Sequence, residues 1–383
     1  MRSKVVRIGI VAGEPSGDKL GAGLIKALMS EYPGAEFVGI GGPKMRQAGC
    51  DTLYDMERIE LMGIDGLFDK LGDILKIRAA LYRKFVAHPP HLFIGVDVPD
   101  FNLGLERKLK KKNIRTIHYV SPTVWAWRGY RIHKIRRAVD HMLTLFPFEA
   151  EFYKRHKIPV TCVGHPIADE IGQPDKIAAR KKIGIPISPG NLVIGLLPGS
   201  RRSEVKNLGA LFVEVAEKIH NADPTIQFVL PFASAQMQKI FYDVAGSTAQ
   251  LPIFTLNGQS RDAIEASDIV VLASGTAALE AALLCRPHVI VYKLSPLAYW
   301  LFQKLRHVDY YSMPNQLLPE PVIPELVQDQ ATADNIVHAV NEFIKNPQKV
   351  QKLEQDFIDL HKQLKRNANL QASKAIVKLL ESS

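Results

Sequence analysis

The sequence runs to 383 residues, 46% apolar and 23% charged, which excludes a disulfide-stapled mini-protein or a largely disordered chain and predicts two or three globular domains. Its 49 Lys and Arg against 39 Asp and Glu leave a net charge of +10, favouring acidic partners such as nucleotides, nucleic acid or an anionic membrane surface without choosing among them. Cys50, Cys162 and Cys285 show no C-x-x-C pairing, so reduced thiols in a cytosol are expected, and no stretch reaches the ~18–20 apolar residues of a spanning helix, which leaves membrane contact peripheral.

In chain order, apolar β-branched runs at 5–12, 37–40, 92–96, 115–120, 141–146 and 160–163 alternate with helical segments, the pattern of a parallel sheet covered on both faces. The first run leads into Gly13-Glu-Pro-Ser-Gly-Asp18, which departs from G-x-G-x-x-G and carries only a weak dinucleotide fingerprint. Glu14, Ser16 and Asp18 stand there to recognise hydroxyls, unless Ser16 or Asp18 caps the helix that follows. Residues 61–85 read as a helix with an unusually wide apolar face. Its Leu61, Met62, Leu67, Phe68 and Leu71 are candidates for lipid contact, with core packing as the alternative.

The run at 92–96 ends in Asp97-Val-Pro-Asp-Phe-Asn102. Pro99 forces a turn, so Asp97 and Asp100 emerge at a strand's carboxyl end, where a general base for a hydroxyl belongs; one of them also suits the cap of the next helix. The following run carries His118, a candidate contact or a satisfied core histidine, and ends at Trp125 and Trp127 beside Arg128, Arg131, Lys134, Arg136 and Arg137. Aromatics among cations stack on bases or sit at a headgroup boundary.

Residues 165–190 lose the alternation and read as an interdomain connection. It restarts at 192–197, 227–231, 253–256, 268–272 and 288–291, giving a second doubly wound domain and a cleft between the two. Leu197-Pro-Gly-Ser-Arg201 and Ala273-Ser-Gly-Thr-Ala-Ala-Leu-Glu280 each follow a strand and open a helix. Gly199, Ser200, Arg201, Ser274, Gly275 and Thr276 thereby offer amides, hydroxyls and a guanidinium to a diphosphate, and Glu280 can accept from ribose hydroxyls. Asn315 and Gln316, in a polar loop, either supply further side-chain donors to the phosphates or belong to a simple turn. No P-loop, H-E-x-x-H, G-x-S-x-G or D-x-D occurs, so a diphosphate would be neutralised by cations and amides, and neither a metal nor a cofactor is expected. Apolar residues at helical spacing from 331 onward predict amphipathic helices that pack across both domains or on a second copy of the chain. The domains are therefore expected at 1–170 and 190–330, with helices over 331–383.

These blocks, together with Phe146-Pro-Phe-Glu149, Gly164-His-Pro166 and Tyr311-Ser-Met-Pro-Asn315, resemble in order and over nearly the full length the lipid-A-disaccharide synthase family, inverting glycosyltransferases of the GT-B type. The resemblance implies two Rossmann-like domains facing a cleft, with transfer of 2,3-diacylglucosamine from UDP-2,3-diacylglucosamine to 2,3-diacylglucosamine 1-phosphate (lipid X) at the cytoplasmic face of a membrane. Under it, Asp97 or Asp100 is the base, the 199–201 and 274–276 loops with Glu280, Asn315 and Gln316 hold the donor, and Glu14, Ser16, Asp18 and His118 meet the acceptor. Lipid substrates give the basic rim and the 61–85 helix a role on an anionic membrane, with no nucleic acid partner. A UDP-N-acetylglucosamine 2-epimerase and a non-catalytic RNA-binding protein are the competing classes.

Overall fold

Strands covered by helices on both faces must be apolar along their whole length, and the runs read from the sequence meet that condition in two separate parallel sheets. The computed structural model describes residues 6–59, 67–126, 129–185, 191–248, 250–295, 299–300, 303–304 and 309–382; the side chains of helix residues 67–71 are outside that description, as are residues 61 and 62.

Among the described residues the first sheet comprises β1 (Arg7–Ala12), β2 (Glu36–Ile40), β3 (Cys50–Tyr54), β4 (Leu92–Val96), β5 (Arg115–Tyr119), β6 (His141–Thr144) and β7 (Val160–Cys162), in the order β3-β2-β1-β4-β5-β6-β7. Its helices are α1 (Pro15–Glu31), α2 (Pro43–Gln47), α3 (Leu67–Ala87), α4 (Pro99–Lys110), α5 (Ile132–Ala138), α6 (Pro147–Arg155) and α7 (Pro166–Glu170). The second sheet has the order β10-β9-β8-β11-β12-β13, built from β8 (Val193–Leu197), β9 (Gln227–Phe232), β10 (Ile253–Asn257), β11 (Ile269–Ala273), β12 (His288–Tyr292) and β13 (Glu325–Val327). Around it lie α8 (Lys176–Ile183), α9 (Arg202–Ala222), α10 (Ala235–Ala245), α11 (Ser260–Ala266), α12 (Thr276–Leu283), α13 (Met313–Leu317), α14 (Ala333–Lys345) and α15 (Pro347–Leu364), and the chain ends in α16 (Ala368–Glu381).

The chain divides into two units, residues 1–169 with 364–383 and residues 170–363. The connection expected at 165–190 is thus largely part of the second unit: Lys176 and Arg180 of α8 bind Asp268 at 2.5 and 2.6 Å, and α8 packs on α11. The C-terminal helices do not form one block either. Helix α14 packs on α9, whereas α16 packs on α1 and buries Ala372, Ser373 and Ile376. Strands β3 and β13, not read from the sequence, lie at sheet edges and are only half buried.

In the first unit, α3 lays Ile74, Ile77, Leu81 and Phe85 on the sheet, where Phe85 meets Phe93 edge to face at 5.6 Å. Burying each such side chain contributes about 2–3 kcal/mol. Register then decides what emerges at the carboxyl edge. Ala12 pairs with Val96 and Val96 with Tyr119, so the loops after β1, β4 and β5 leave side by side. In the second unit Leu272 pairs with Leu197, which aligns the loops after β8 and β11 in the same way.

Candidate functional site

The loops after β8 and β11 flank the place where the strand order of the second sheet reverses, the position at which open parallel sheets bind ligands. They line one concave site of ≈360 Å³ that gathers Gly199, Ser200, Arg201, Ser274, Gly275, Thr276 and Glu280, together with Phe232 from β9 and Ser260 from α11. Two sequence blocks some seventy residues apart therefore meet because their strands are neighbours.

The two helix starts in this site are not equivalent. Gly199 has φ +118°, and a Cβ there would lie 2.4 Å from Glu204 Oε2. That carboxylate accepts from the amides of Ser200 and Arg201 at 3.0 and 3.1 Å. The expectation that this loop offers its backbone to an anion is corrected accordingly: the chain's own Glu204 already takes those donors. What remains is the Arg201 guanidinium, 70% exposed and only 3.7 Å from Glu204. At α12, by contrast, Gly275, Thr276 and Ala277 open the helix with first-turn amides that no carbonyl inside the helix can accept from. Glu280 is held by Arg261 at 3.1 Å, and Arg261 also reaches Glu170 at 3.4 Å. Sequence reasoning missed Glu204 and Arg261. The signal for Arg261 was its place at the start of the helix after the 253–256 run, a second cation at the same sheet edge as Arg201.

Asn315 and Gln316 do not join this site. Asn315 is buried, donating to Ile323 O at 2.9 Å and Glu325 Oε1 at 2.8 Å while accepting from Ile323 N at 3.1 Å; Gln316 donates to Tyr310 O at 2.9 Å. Both tie a turn together, so their side-chain donors are committed to backbone carbonyls and to Glu325.

In the first unit, a second concave site of ≈360 Å³ lies at the carboxyl ends of β4 and β5, lined by Asp97, Asp100, Ser121, Thr123 and Arg131 among others. The backbone is strained on both sides of it: Asp97 (φ 53°), Val98 (φ 43°) and Val120 (φ 80°) all occupy the left-handed region, and for valine this is a genuine outlier. Asp97 Oδ1 accepts from its neighbour Val98 N at 2.8 Å, while Asp100 is ion-paired with Arg131. Ser121, which sequence reading passed over, hydrogen-bonds Tyr153 at 3.0 Å. Beneath the same loop Glu149 accepts from Trp125 Nε1 at 3.2 Å and from Leu145 and Phe146 amides at 3.2 and 3.1 Å. Burial nonetheless pushes the Glu149 carboxyl up to about 7.

Two of the residues expected to meet an acceptor are placed differently. Asp18 is buried and accepts from the amides of Gly42, Lys44 and Met45 at 2.8, 3.0 and 2.9 Å, so it caps α2. His118 is fully buried inside β5, 2.7 Å from Glu106, and lines neither site. Ser16 is exposed in the first turn of α1, while Glu14 stands at that helix's N-cap. Of the five apolar candidates on the 61–85 segment, Leu61 and Met62, and the side chains of Leu67, Phe68 and Leu71, lie outside the described residues. No helix among the described residues is long and apolar enough to cross a membrane.

Comparison with known proteins bears on these two sites. Residues 8–379 match the family model described as lipid-A-disaccharide synthetase. A lipid-A-disaccharide synthase of Pseudoalteromonas translucida is 44% identical over 384 residues, covering 99% of each chain. Among solved structures, the glycotransferase of kitacinnamycin aligns with TM-score 0.65 at 14% identity over 98% of this chain and 100% of its own. A UDP-GlcNAc 2-epimerase from Neisseria meningitidis bound to UDP-GlcNAc aligns with TM-score 0.60 at 13% identity, over 99% and 100%. Fold likeness therefore does not separate a transferase from an epimerase; the full-length family match does.

Proposed function

The chain belongs to the lipid-A-disaccharide synthase family, hexosyltransferases of the GT-B fold, and from that premise we propose how its residues carry out the transfer. The donor is UDP-2,3-diacylglucosamine, the acceptor is the 6-hydroxyl of lipid X, and the products are UDP and a β-1,6-linked disaccharide 1-phosphate. Inversion in a single displacement needs a base on the attacking hydroxyl and stabilisation of the departing diphosphate. The observation that carries the reading is the convergence of the 199–201 and 274–276 loops on one site at the switch point of the second sheet.

On the donor side, Arg201 meets the diphosphate with its exposed guanidinium, the amides of Gly275 to Ala277 and the hydroxyls of Ser274 and Thr276 complete the cradle, and Glu280, steadied by Arg261, accepts from the ribose. On the acceptor side, Asp97 takes the proton. Asp100 is paired with Arg131, whereas among the described residues Asp97 Oδ2 has no partner, which favours Asp97 as the base. The diphosphate charge is carried by these groups without a metal.

The test is UDP release from UDP-2,3-diacylglucosamine and lipid X, with and without EDTA. Disaccharide formation should resist EDTA and fall about 10²–10⁴-fold in Asp97→Asn. Retained activity in that variant would transfer the role to Asp100, and activity on UDP-N-acetylglucosamine alone would favour the epimerase.

Work at the cytoplasmic face of a membrane completes the proposal. It is supported by the net charge of +10 and by Leu75 on α3 and Tyr130 before α5, which are 51% and 72% exposed. Flotation with anionic vesicles should be lost at high salt; binding that survives both high salt and polar substitutions at Leu67, Phe68 and Leu71 would sink this part.

A further inference from the structure

Directly behind Asp97 lies a buried polar group that the reaction as described does not use. Asn102 and Glu106 stand one turn apart on α4, facing β4 and β5, and both are fully buried, as is His118. Asn102 Nδ2 donates to the Asp97 carbonyl at 2.8 Å and to Val11 O at 3.3 Å, joining the start of α4 to the ends of two strands. A Cβ on Gly95 would lie 2.2 Å from Glu106 Oε1 and 2.9 Å from Asn102 Cγ, so the two end groups share the space that this glycine leaves open. His118 Nδ1 is 2.7 Å from Glu106 Oε1.

Three atoms of this group have no hydrogen-bond partner among the described residues: Glu106 Oε2, Asn102 Oδ1 and His118 Nε2. An ion pair between Glu106 and His118 would leave a charged carboxylate oxygen and a charged imidazolium N–H both fully buried with no partner among the described residues, which is strongly unfavourable. Moving one proton from His118 to Glu106 removes both faults. Glu106 Oε2–H then becomes a donor, and its natural acceptor is Asn102 Oδ1, one turn back on the same helix face. The neutral imidazole keeps its proton on Nδ1 and leaves only a bare Nε2 lone pair. No proton is gained or lost overall.

We infer that Glu106 is held protonated and closes a neutral hydrogen-bond chain, His118 Nδ1–H to Glu106, Glu106 Oε2–H to Asn102, and Asn102 Nδ2–H to the Asp97 carbonyl, which positions the strained Asp97 peptide for its role. The inference rests on the reading of Asp97 as the base. Burial raises the Glu106 carboxyl above its usual range and His118 opposes that rise, in keeping with a proton on the carboxyl. The three members are positioning residues, since none lines the Asp97 cavity. A purely structural ion pair would serve packing equally well but would not need a proton on Glu106.

The experiment has two arms. In ¹⁵N-histidine spectra of the full chain, with the signal assigned by its loss in His118→Gln, His118 is expected to be neutral and protonated on Nδ1 at pH 7; a doubly protonated ring would overturn the proposal independently of the kinetic variants. In the UDP-release assay, Asn102→Ala and Glu106→Ala should each lower kcat at least about tenfold with KM within about threefold, and Glu106→Gln should restore most of that loss. Glu106→Gln as damaged as Glu106→Ala overturns the neutral chain, and an unchanged kcat in Asn102→Ala overturns positioning. If Asp97→Asn stays active, the base assignment fails instead, while the histidine spectrum still decides where the proton lies.

Discussion

A carboxylate is available to a ligand only if backbone donors have not already taken its oxygens, and the acidic residues of this chain separate on that basis. Asp18 and Glu204 accept from two or three amides each and serve their own loops, whereas Asp97 accepts one and Glu280 answers to a guanidinium. The sequence placed all but Glu204 near strand ends without distinguishing cap from ligand contact, because both roles draw on the same residue types at the same positions. Asp18→Ala should therefore act on stability and not on kinetics, lowering unfolding free energy by about 2–3 kcal/mol through three orphaned amides, two of them buried, with kcat/KM for both substrates near wild type. Urea unfolding of the variant beside the UDP-release assay checks this; a large rise in acceptor KM at unchanged stability would return Asp18 to the acceptor site.

At the scale of elements, the decisive units are strand-to-helix turns. Gly199 and the left-handed residues Asp97, Val98 and Val120 show that these turns are shaped tightly where the cavities open, and a side chain at 199 has nowhere to go except into Glu204. Gly199→Ala should displace Glu204, release the Ser200 and Arg201 amides from their cap, and move Arg201, raising donor KM about tenfold or more while costing about 1–3 kcal/mol of stability. Initial-rate kinetics at varied UDP-sugar measure the first and thermal unfolding the second; unchanged donor KM would show that the α9 turn takes no part in holding the diphosphate. Helix α3 shows what a wide apolar face leaves ambiguous: its described side chains Ile74, Ile77, Leu81 and Phe85 are core, although the same 3.6-residue period suits a lipid-facing stripe.

At the scale of the molecule, a buried titratable group in each unit responds to pH, the two in opposite senses. Glu149 in the first unit has its carboxyl raised from 4.5 to about 7, so the folded state holds that proton more tightly than the unfolded chain. Its contribution is greatest below pH 4.5 and about 3 kcal/mol is lost as pH rises to 7. His288 in the second unit, stacked on Phe357 at 5.6 Å, is lowered from 6.5 to about 4 by burial. Its contribution is present above pH 6.5 and about 3 kcal/mol is lost as pH falls toward 4. Between pH 5 and 6.5 the two slopes oppose each other, so calorimetry should show Glu149→Gln leaving a stability that rises with pH and His288→Phe leaving one that falls with it. The same slope in both variants as in wild type would refute the assignment.

What the sequence determined by itself is the alternation of buried strands and amphipathic helices, the two doubly wound sheets, and the loops that carry Asp97, Arg201, Ser274 to Thr276 and Glu280. These are local signals, since period, turn residues and strand ends are written within a dozen neighbours. The tertiary structure decided which of those residues remain free to act. Strand order brings residues 197–201 beside 273–280, Asp18 is drawn to a loop more than twenty residues away, His118 is enclosed with Glu106, Asn315 is consumed by Ile323 and Glu325 at the start of β13, and the last helix returns to the first unit. Each of these outcomes depends on which distant backbone groups lack a partner, and only the packed chain settles that.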